Sequence, residues 1–219
     1  MVPQYHTYKM GRRTFLLILL FGLTVPLLSL AAEPSVMDTP QLVVVYDRGL
    51  RQTAQQVVTA YPSIKQTLES TFQWPVNFRP SLVLINNQKK FRRLAGNERV
   101  VAYALPGKNA MVIDYSKMNT SPFTLQRIVQ HELCHLLLHH HIDEDHLPRW
   151  LDEGICQWAS DGLADIRMDG RRTRLPAAIL SGGYFDLAKL AHRFPHDKNG
   201  LLLAYEQSKS VVEYMIRRY

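Results

Sequence analysis

The chain lacks several features that mark special classes of protein. Its 219 residues include only two cysteines, too few for a fold that depends on a framework of disulfides. It contains no internal repeat and no low-complexity tract. Hydrophobic residues make up 46% of the chain and charged residues 21%, which argues against a disordered chain, a collagen-like repeat and a multi-span membrane protein. The composition therefore indicates one globular domain with a hydrophobic core.

A large excess of charge of one sign is also missing. The formal net charge is +7, from 26 Lys and Arg against 19 Asp and Glu. Residues 1–32 contain three of the bases and no acid, so residues 33–219 retain 23 bases and 19 acids, a net charge of +4. The short basic clusters at 89–93 and 171–174 are typical of solvated surface. We therefore predict no nucleic-acid partner.

The N-terminus has the pattern of a secretory signal. Lys9, Arg12 and Arg13 precede a mostly apolar run at 15–30, and the small residues Ala31 and Ala32 follow it. A basic region, an apolar region and a small-residue cleavage site in this order predict a signal peptide over residues 1–32. An uncleaved anchor, with a membrane tether through residues 14–31, is the alternative. Both predict an exported protein, periplasmic or extracellular, with a single domain at 33–219.

The rest of the chain predicts an α+β fold, because strand patterns fill its front half and helical patterns its back half. We expect a small mixed or antiparallel sheet followed by a helical half. The predicted strands are 42–46 and 81–85 and a hairpin of 100–105 with 110–115. The predicted helices are 50–72 with a break at Pro62, a short one at 87–94, a long one opening at Ser121 and Pro122, one from Pro148, and two near the C-terminus.

The sequence His131-Glu132-Leu133-Cys134-His135 has the pattern H-E-x-x-H. Positions i and i+4 of a helix share a face, so His131 and His135 could bind one Zn²⁺ from the same side. Glu132 would then lie beside the open coordination position, where a carboxylate can act as a general base.

A zinc site needs a third protein ligand, and two residues are candidates. His141 has the spacing of the longer motif H-E-x-x-H-x-x-G-x-x-H, but Leu138 stands where that motif needs glycine for a sharp turn. Glu153 lies 18 residues beyond His135, on the next predicted helix. We favour Glu153, although an acid at the start of a helix is also explained by the helix dipole.

The motif H-E-L-x-H followed by P-x-W-L-x-E-G resembles the peptidase-MA-like gluzincins, the clan of thermolysin and the zinc aminopeptidases. The resemblance spans about residues 40–219 and implies a zincin-like fold. It implies one Zn²⁺ per chain held by His131, His135 and Glu153, with Glu132 as the catalytic base. It also implies an edge strand, matched to 110–115, that holds the substrate backbone. It also makes Tyr205 the candidate donor to the oxyanion, with Tyr184 and His192 as alternatives.

Three further expectations concern residues near this motif. Cys134 and Cys156 lie on the two helices that carry it, so an exported location favours a disulfide between them. Two buried thiols, or pairing elsewhere, remain open alternatives. Gln157 could accept the second N–H of a ligand histidine. His139 is expected to point past the metal.

Together these patterns predict an exported zinc metallopeptidase that acts on a peptide or protein substrate. Two alternatives are a catalytically silent, zinc-stabilised binding or assembly protein of the cell envelope and a hydrolase of a non-peptide amide in the cell wall. The mature chain of about 187 residues is small, so a partner subunit that completes the cleft is a further expectation.

Overall fold

Five short strands form one sheet in the computed structural model, which describes residues 34–96, 100–118, 125–161 and 174–219. The strands are β1 (Ser35–Asp38), β2 (Val43–Tyr46), β3 (Ser81–Ile85), β4 (Ala102–Leu105) and β5 (Ala110–Asp114). Their order across the sheet is β1-β2-β3-β5-β4. The three central strands are parallel, and the two edge strands are antiparallel to their neighbours. The sheet is therefore mixed, as expected.

The helices follow the sheet in the chain, with two exceptions in the front half. In the described residues they are α1 (Arg51–Phe72), α2 (Gln88–Ala95), α3 (Leu125–His141), α4 (Arg149–Ala159), α5 (Leu175–Ser181), α6 (Leu187–Leu190) and α7 (Lys198–Arg218). This arrangement confirms the predicted α+β class. The proposed N-terminal signal, the cap at 121–122 and most of the basic cluster at 171–174 lie outside the described residues.

Both faces of the sheet are buried, because the central strands place apolar side chains on each face. Leu82, Leu84, Met111 and Ile113 point into the main core, which they share with α1 and α3. Val112 points the other way and joins a smaller cluster with residues of β3 and α2. All five residues of β5 are buried, as expected for a strand between two neighbours and beneath a helix on each face.

The prediction that residues 110–115 form an edge strand is wrong. Residues 106–109 reverse the chain, with Asn109 in the left-handed conformation at φ 46°, and β4 pairs outside β5. Because β4 takes the outer position, β5 becomes an interior strand and β4 the edge of the sheet. Strand order is a long-range property, so the hairpin pattern predicted the pair without predicting which member lies outside.

Two local predictions also need correction. Helix α1 continues through Pro62 instead of breaking there, because buried residues on both sides, including Val57 and Leu68, hold the whole helix against the core. Strand β1 was not predicted, because Ser35–Asp38 has polar residues at its ends. The segment is only partly buried, and it forms a strand because it pairs with β2. Across the described ranges, no helix is long and apolar enough to cross a membrane.

Two contacts fix α4 in place. Cys134 of α3 and Cys156 of α4 form a disulfide, with their Cα atoms 5.5 Å apart. This is the pairing that an exported location favours, and it decides between the alternatives that the sequence left open. On its other side α4 packs closely on α7, where Gly154 faces the backbone of Ser208. The position of α4 relative to α3 therefore rests on a covalent bond and a tight helix contact.

Candidate metal centre

Two histidines of α3 turn the same ring nitrogen toward one point. His131 and His135 are one helical turn apart, and their Nε2 atoms are 3.1 Å apart. Both side chains are buried, at 6% and 9% exposure. Buried polar groups require partners, so two imidazoles among the buried, mostly apolar residues of α3 are costly unless something binds them.

Helix α4 adds a carboxylate to this pair. The Oε2 atom of Glu153 lies 3.7 Å from Nε2 of His131 and 3.7 Å from Nε2 of His135. Ligand atoms of all three residues fall within 4.8 Å of one another. Zinc bonds of about 2.0–2.1 Å in a tetrahedral site would place ligand atoms about 3.3 Å apart, so this donor set fits such an ion with small adjustments.

On each ring the hydrogen bond of Nδ1 turns Nε2 toward the other ligand atoms, where Nε2 can bind a metal once it carries no proton. Nδ1 of His135 is 2.7 Å from Oδ1 of Asp152, which as a carboxylate can only accept, so Nδ1 carries the proton. Nδ1 of His131 is 3.3 Å from Oγ of Ser160, whose hydroxyl donates to the Cys156 carbonyl at 2.6 Å and therefore accepts from His131. This pattern orients both rings as metal ligands need.

These partners were only partly foreseen. The N–H groups of the ligand histidines face Asp152 and Ser160, so the prediction for Gln157 is wrong. Asp152 could have been noticed, since it directly precedes Glu153 in the motif. His139 does point past the three ligand atoms, as expected, and its Nε2 lies 3.2 Å from the second oxygen of Asp152. Asp152 therefore links two histidines of α3.

The charges of the site shift its titrations strongly. Burial lowers the pKa of His135, but the carboxylates of Asp152, Glu153 and Glu132 outweigh that effect and raise the pKa to about 10. Burial favours the neutral form of Asp152 and of Glu153, yet the neighbouring histidines hold the pKa of each carboxyl below its usual value. In the metal-free protein Asp152 and Glu153 are therefore negatively charged and His135 is protonated. A metal cation can bind there in place of the proton on His135.

Glu132 lies beside the three ligand atoms without being one of them. Its side chain is only 5% exposed, and burial raises its pKa, with the charges of the two histidines acting in the opposite direction. A carboxylate with a raised pKa accepts a proton more readily, which is the property that a general base needs. Its position and its environment both suit that role.

A cleft of about 1000 Å³ runs past the ligand atoms. One wall is the edge strand β4 with the turn that follows it, and the other includes α4 and the segment before α7. Tyr205 and His192 both line this cleft, whereas Tyr184 does not and is 59% exposed. The structure thus brings Tyr205 to the same space as Glu132 and the candidate ligands.

The other predicted ligand lies elsewhere. The ring of His141 stacks on Trp74, with centroids 4.8 Å apart, and its Nε2 is 3.3 Å from the carbonyl of Pro75. A second group near the site, His135, Asp152 and Cys156, is also close enough to hold a metal, but Cys156 is in the disulfide. The group with Glu153 is therefore the better candidate.

Comparison with known families agrees with this geometry. Residues 96–219, more than half of the chain, match the family model described as the peptidase MA superfamily. The chain belongs to the peptidase MA superfamily. The matched segment contains β4, β5 and both helices that carry the candidate ligands. Superfamily membership suggests peptidase activity, and its members are typically zinc-dependent. No curated protein matches the chain.

Proposed function

We propose that the protein is an exported zinc-dependent metallopeptidase that hydrolyses peptide bonds with Glu132 as general base. The observation that carries the proposal is the convergence of His131, His135 and Glu153 within 4.8 Å, beside the buried Glu132 and open to a large cleft. A purely structural zinc site closes its fourth position with protein and needs no base. This arrangement keeps one side of the ligand set open to the cleft.

Zinc held by His131, His135 and Glu153 would supply a Lewis acid that polarises a carbonyl and makes a water molecule more acidic. Glu132 takes a proton from the attacking water and then passes it to the leaving amine. Tyr205 is our candidate for a hydrogen-bond donor to the oxygen that becomes negative in the transition state. Asp152 and Ser160 keep the two imidazoles oriented throughout.

The edge strand β4 supports a peptide as substrate. It ends the sheet, and it forms one wall of the cleft along Ala102, Tyr103 and Ala104. An extended peptide can add to such an edge through main-chain hydrogen bonds. This mode would hold the scissile bond in a defined direction next to the metal and would not depend on particular side chains.

Export is supported by two features that do not depend on metal binding. The N-terminal pattern of basic, apolar and small residues is that of a secretory signal, cleaved or retained as a tether. The pairing of Cys134 with Cys156 suits an oxidising compartment outside the cytoplasm. We therefore place the domain in the periplasm or outside the cell.

The test is cleavage of a diverse peptide library by the zinc-loaded chain, alongside Glu132→Gln. We expect one zinc per chain in both proteins, and a loss of turnover of at least about 100-fold in the variant, because the base and proton carrier are removed together. The matched control is Glu213→Gln, at an ion-paired surface residue of α7, which should cleave as the wild type does.

Two outcomes would contradict the proposal. Full activity in Glu132→Gln would exclude its role as the base. Tight binding of one zinc without cleavage of any peptide would instead favour the zinc-stabilised binding protein. The cut positions in the library would separate endopeptidase from exopeptidase action.

A further inference from the structure

Arg149 is a cleft-lining cation that the proposed hydrolysis does not use. It is exposed, and it begins α4 one helical turn before Glu153. Residues four apart on a helix have Cβ atoms about 5–6 Å apart. The side chain of Arg149 therefore starts one turn from a candidate metal ligand, within reach of a substrate residue close to the scissile bond.

An aromatic ring positions the guanidinium group. Cζ of Arg149 lies 5.0 Å from the centroid of the Phe194 ring. Phe194 is buried, and its ring packs edge-on against Tyr205, with centroids 5.3 Å apart. The backbone N–H of Arg149 donates to the carbonyl of Ala191 at 2.9 Å, which attaches its main chain to the same wall. Arg149 is thus held at a defined place in the cleft.

The contact with Phe194 leaves hydrogen-bond donors of the guanidinium available. A cation–π contact is an attraction between the charge and the ring and does not require the five N–H donors of the group to bond a carboxylate. Glu144 and Asp145 line the same cleft, yet no carboxylate of the described residues lies within ion-pair distance of Arg149. A planar set of donors of this kind matches a carboxylate, which it can bind through two parallel hydrogen bonds.

We propose that Arg149 binds a carboxylate of the substrate and so selects peptides that carry one near the scissile bond. The inference rests on the proposed peptidase function and adds a substrate class to it. Two sources present the same pair of oxygens: the C-terminus of a short peptide and the side chain of Asp or Glu. Either carboxylate would replace water at the N–H groups of Arg149 and would not have to break an ion pair within the protein.

The experiment uses three hexapeptide libraries and the zinc-loaded full chain. The first library lacks Asp and Glu and has a free C-terminal carboxylate, the second is the same but amidated, and the third is amidated and contains Asp and Glu. We expect kcat/KM to be at least about tenfold higher for a carboxylate-bearing library than for the second. Preference for the first library would identify the C-terminus, and preference for the third an acidic side chain.

Variants then assign the preference to Arg149. Arg149→Gln should remove it, mainly through a higher KM for carboxylate-bearing peptides, and Arg149→Lys should retain part of it through charge alone. Arg51→Gln, at an exposed arginine of α1 that does not line the cleft, is the matched control and should keep the full preference. An unchanged preference in Arg149→Gln, or none in the wild type, would overturn the inference.

A binding measurement separates this inference from the proposed function. If the wild type cleaves no peptide, the proposed function fails, and retention of the three libraries on the immobilised zinc-free chain decides the role of Arg149. Stronger retention of carboxylate-bearing peptides that disappears in Arg149→Gln would support the inference. Equal retention by both proteins would overturn it.

Discussion

Gly154 of α4 lies directly against Ser208 of α7. A Cβ atom at position 154 would stand 2.6 Å from the Ser208 carbonyl oxygen and 2.9 Å from Cγ2 of Val212. The missing side chain lets the two helices approach closely, and the next residue toward the N-terminus is the candidate ligand Glu153. The glycine of the motif thus sets the depth at which α4 packs, and with it the position of the carboxylate.

Gly154→Ala should therefore destabilise the fold by about 1–3 kcal/mol, because the new methyl group meets backbone atoms that cannot move aside cheaply. Urea unfolding of the metal-free chain measures this loss. Gly49→Ala is the control, since a Cβ there has nothing within 4 Å, and it should change stability by less than about 0.5 kcal/mol. Equal effects of the two substitutions would contradict the close contact.

Asp152→Asn should weaken zinc binding by about 10- to 100-fold. The amide can still accept a hydrogen bond from His135, but it loses the negative charge that favours the ligand tautomer and that lies beside His139. Competition with a chromophoric chelator gives the affinity. Asp143→Asn, at an exposed residue between α3 and α4, should bind zinc as the wild type does, and a similar loss there would point to a general effect of charge.

Zinc affinity should rise as the pH is raised. The pKa of His135 is about 10 in the metal-free fold, so the metal must displace a proton at neutral pH, and affinity should increase about tenfold per pH unit. Because this pKa is raised from 6.5, its contribution to the stability of the metal-free fold is complete below about pH 6.5 and lost toward pH 10.

Chelator competition between pH 6 and 8.5 tests the first statement, and thermal unfolding in EDTA over the same range tests the second. An affinity that does not change with pH would mean that His135 is already neutral in the metal-free protein. A metal-free fold that gains stability across this range would contradict the ion pair between His135 and Asp152.

Tyr205→Phe should lower kcat by about 10²–10³-fold while zinc binding is retained, if its hydroxyl stabilises the developing oxyanion. The ring would keep its packing against Phe194. Tyr214→Phe removes the hydroxyl of a residue that is 63% exposed near the end of α7 and serves as the control. Unchanged kcat in Tyr205→Phe would mean that Tyr205 is not the oxyanion donor and would favour His192, which also lines the cleft.

The reliable predictions were those that depend on local geometry. The helical period alone places His131 and His135 on one face with Glu132 beside them, because residues four apart on a helix are neighbours. The hairpin of β4 and β5 likewise follows from a short turn between two apolar runs. The metallopeptidase resemblance was confirmed at the level of the superfamily over residues 96–219.

The wrong predictions concern features that depend on packing between elements distant in sequence. Pro62 was expected to break α1, but packing of both halves against the core outweighs the loss of one helical hydrogen bond. Gln157 was chosen as a partner for a ligand histidine from helical spacing, whereas the rotation of α4 against α3 presents Asp152 and Ser160 to those rings. Spacing within a helix does not reveal how that helix is rotated toward its neighbour.

The sequence alone predicted that the two histidines share a helix face, that Glu132 lies beside them, and that the fold is α+β. Each of these depends mainly on local patterns within a few residues. The sequence favoured Glu153 over His141, but only the tertiary structure brings Glu153 to the histidines, pairs Cys134 with Cys156 and makes β4 the edge of the sheet. These three outcomes depend on how separate elements pack, and packing is set by the shape of the whole core, which no local pattern contains.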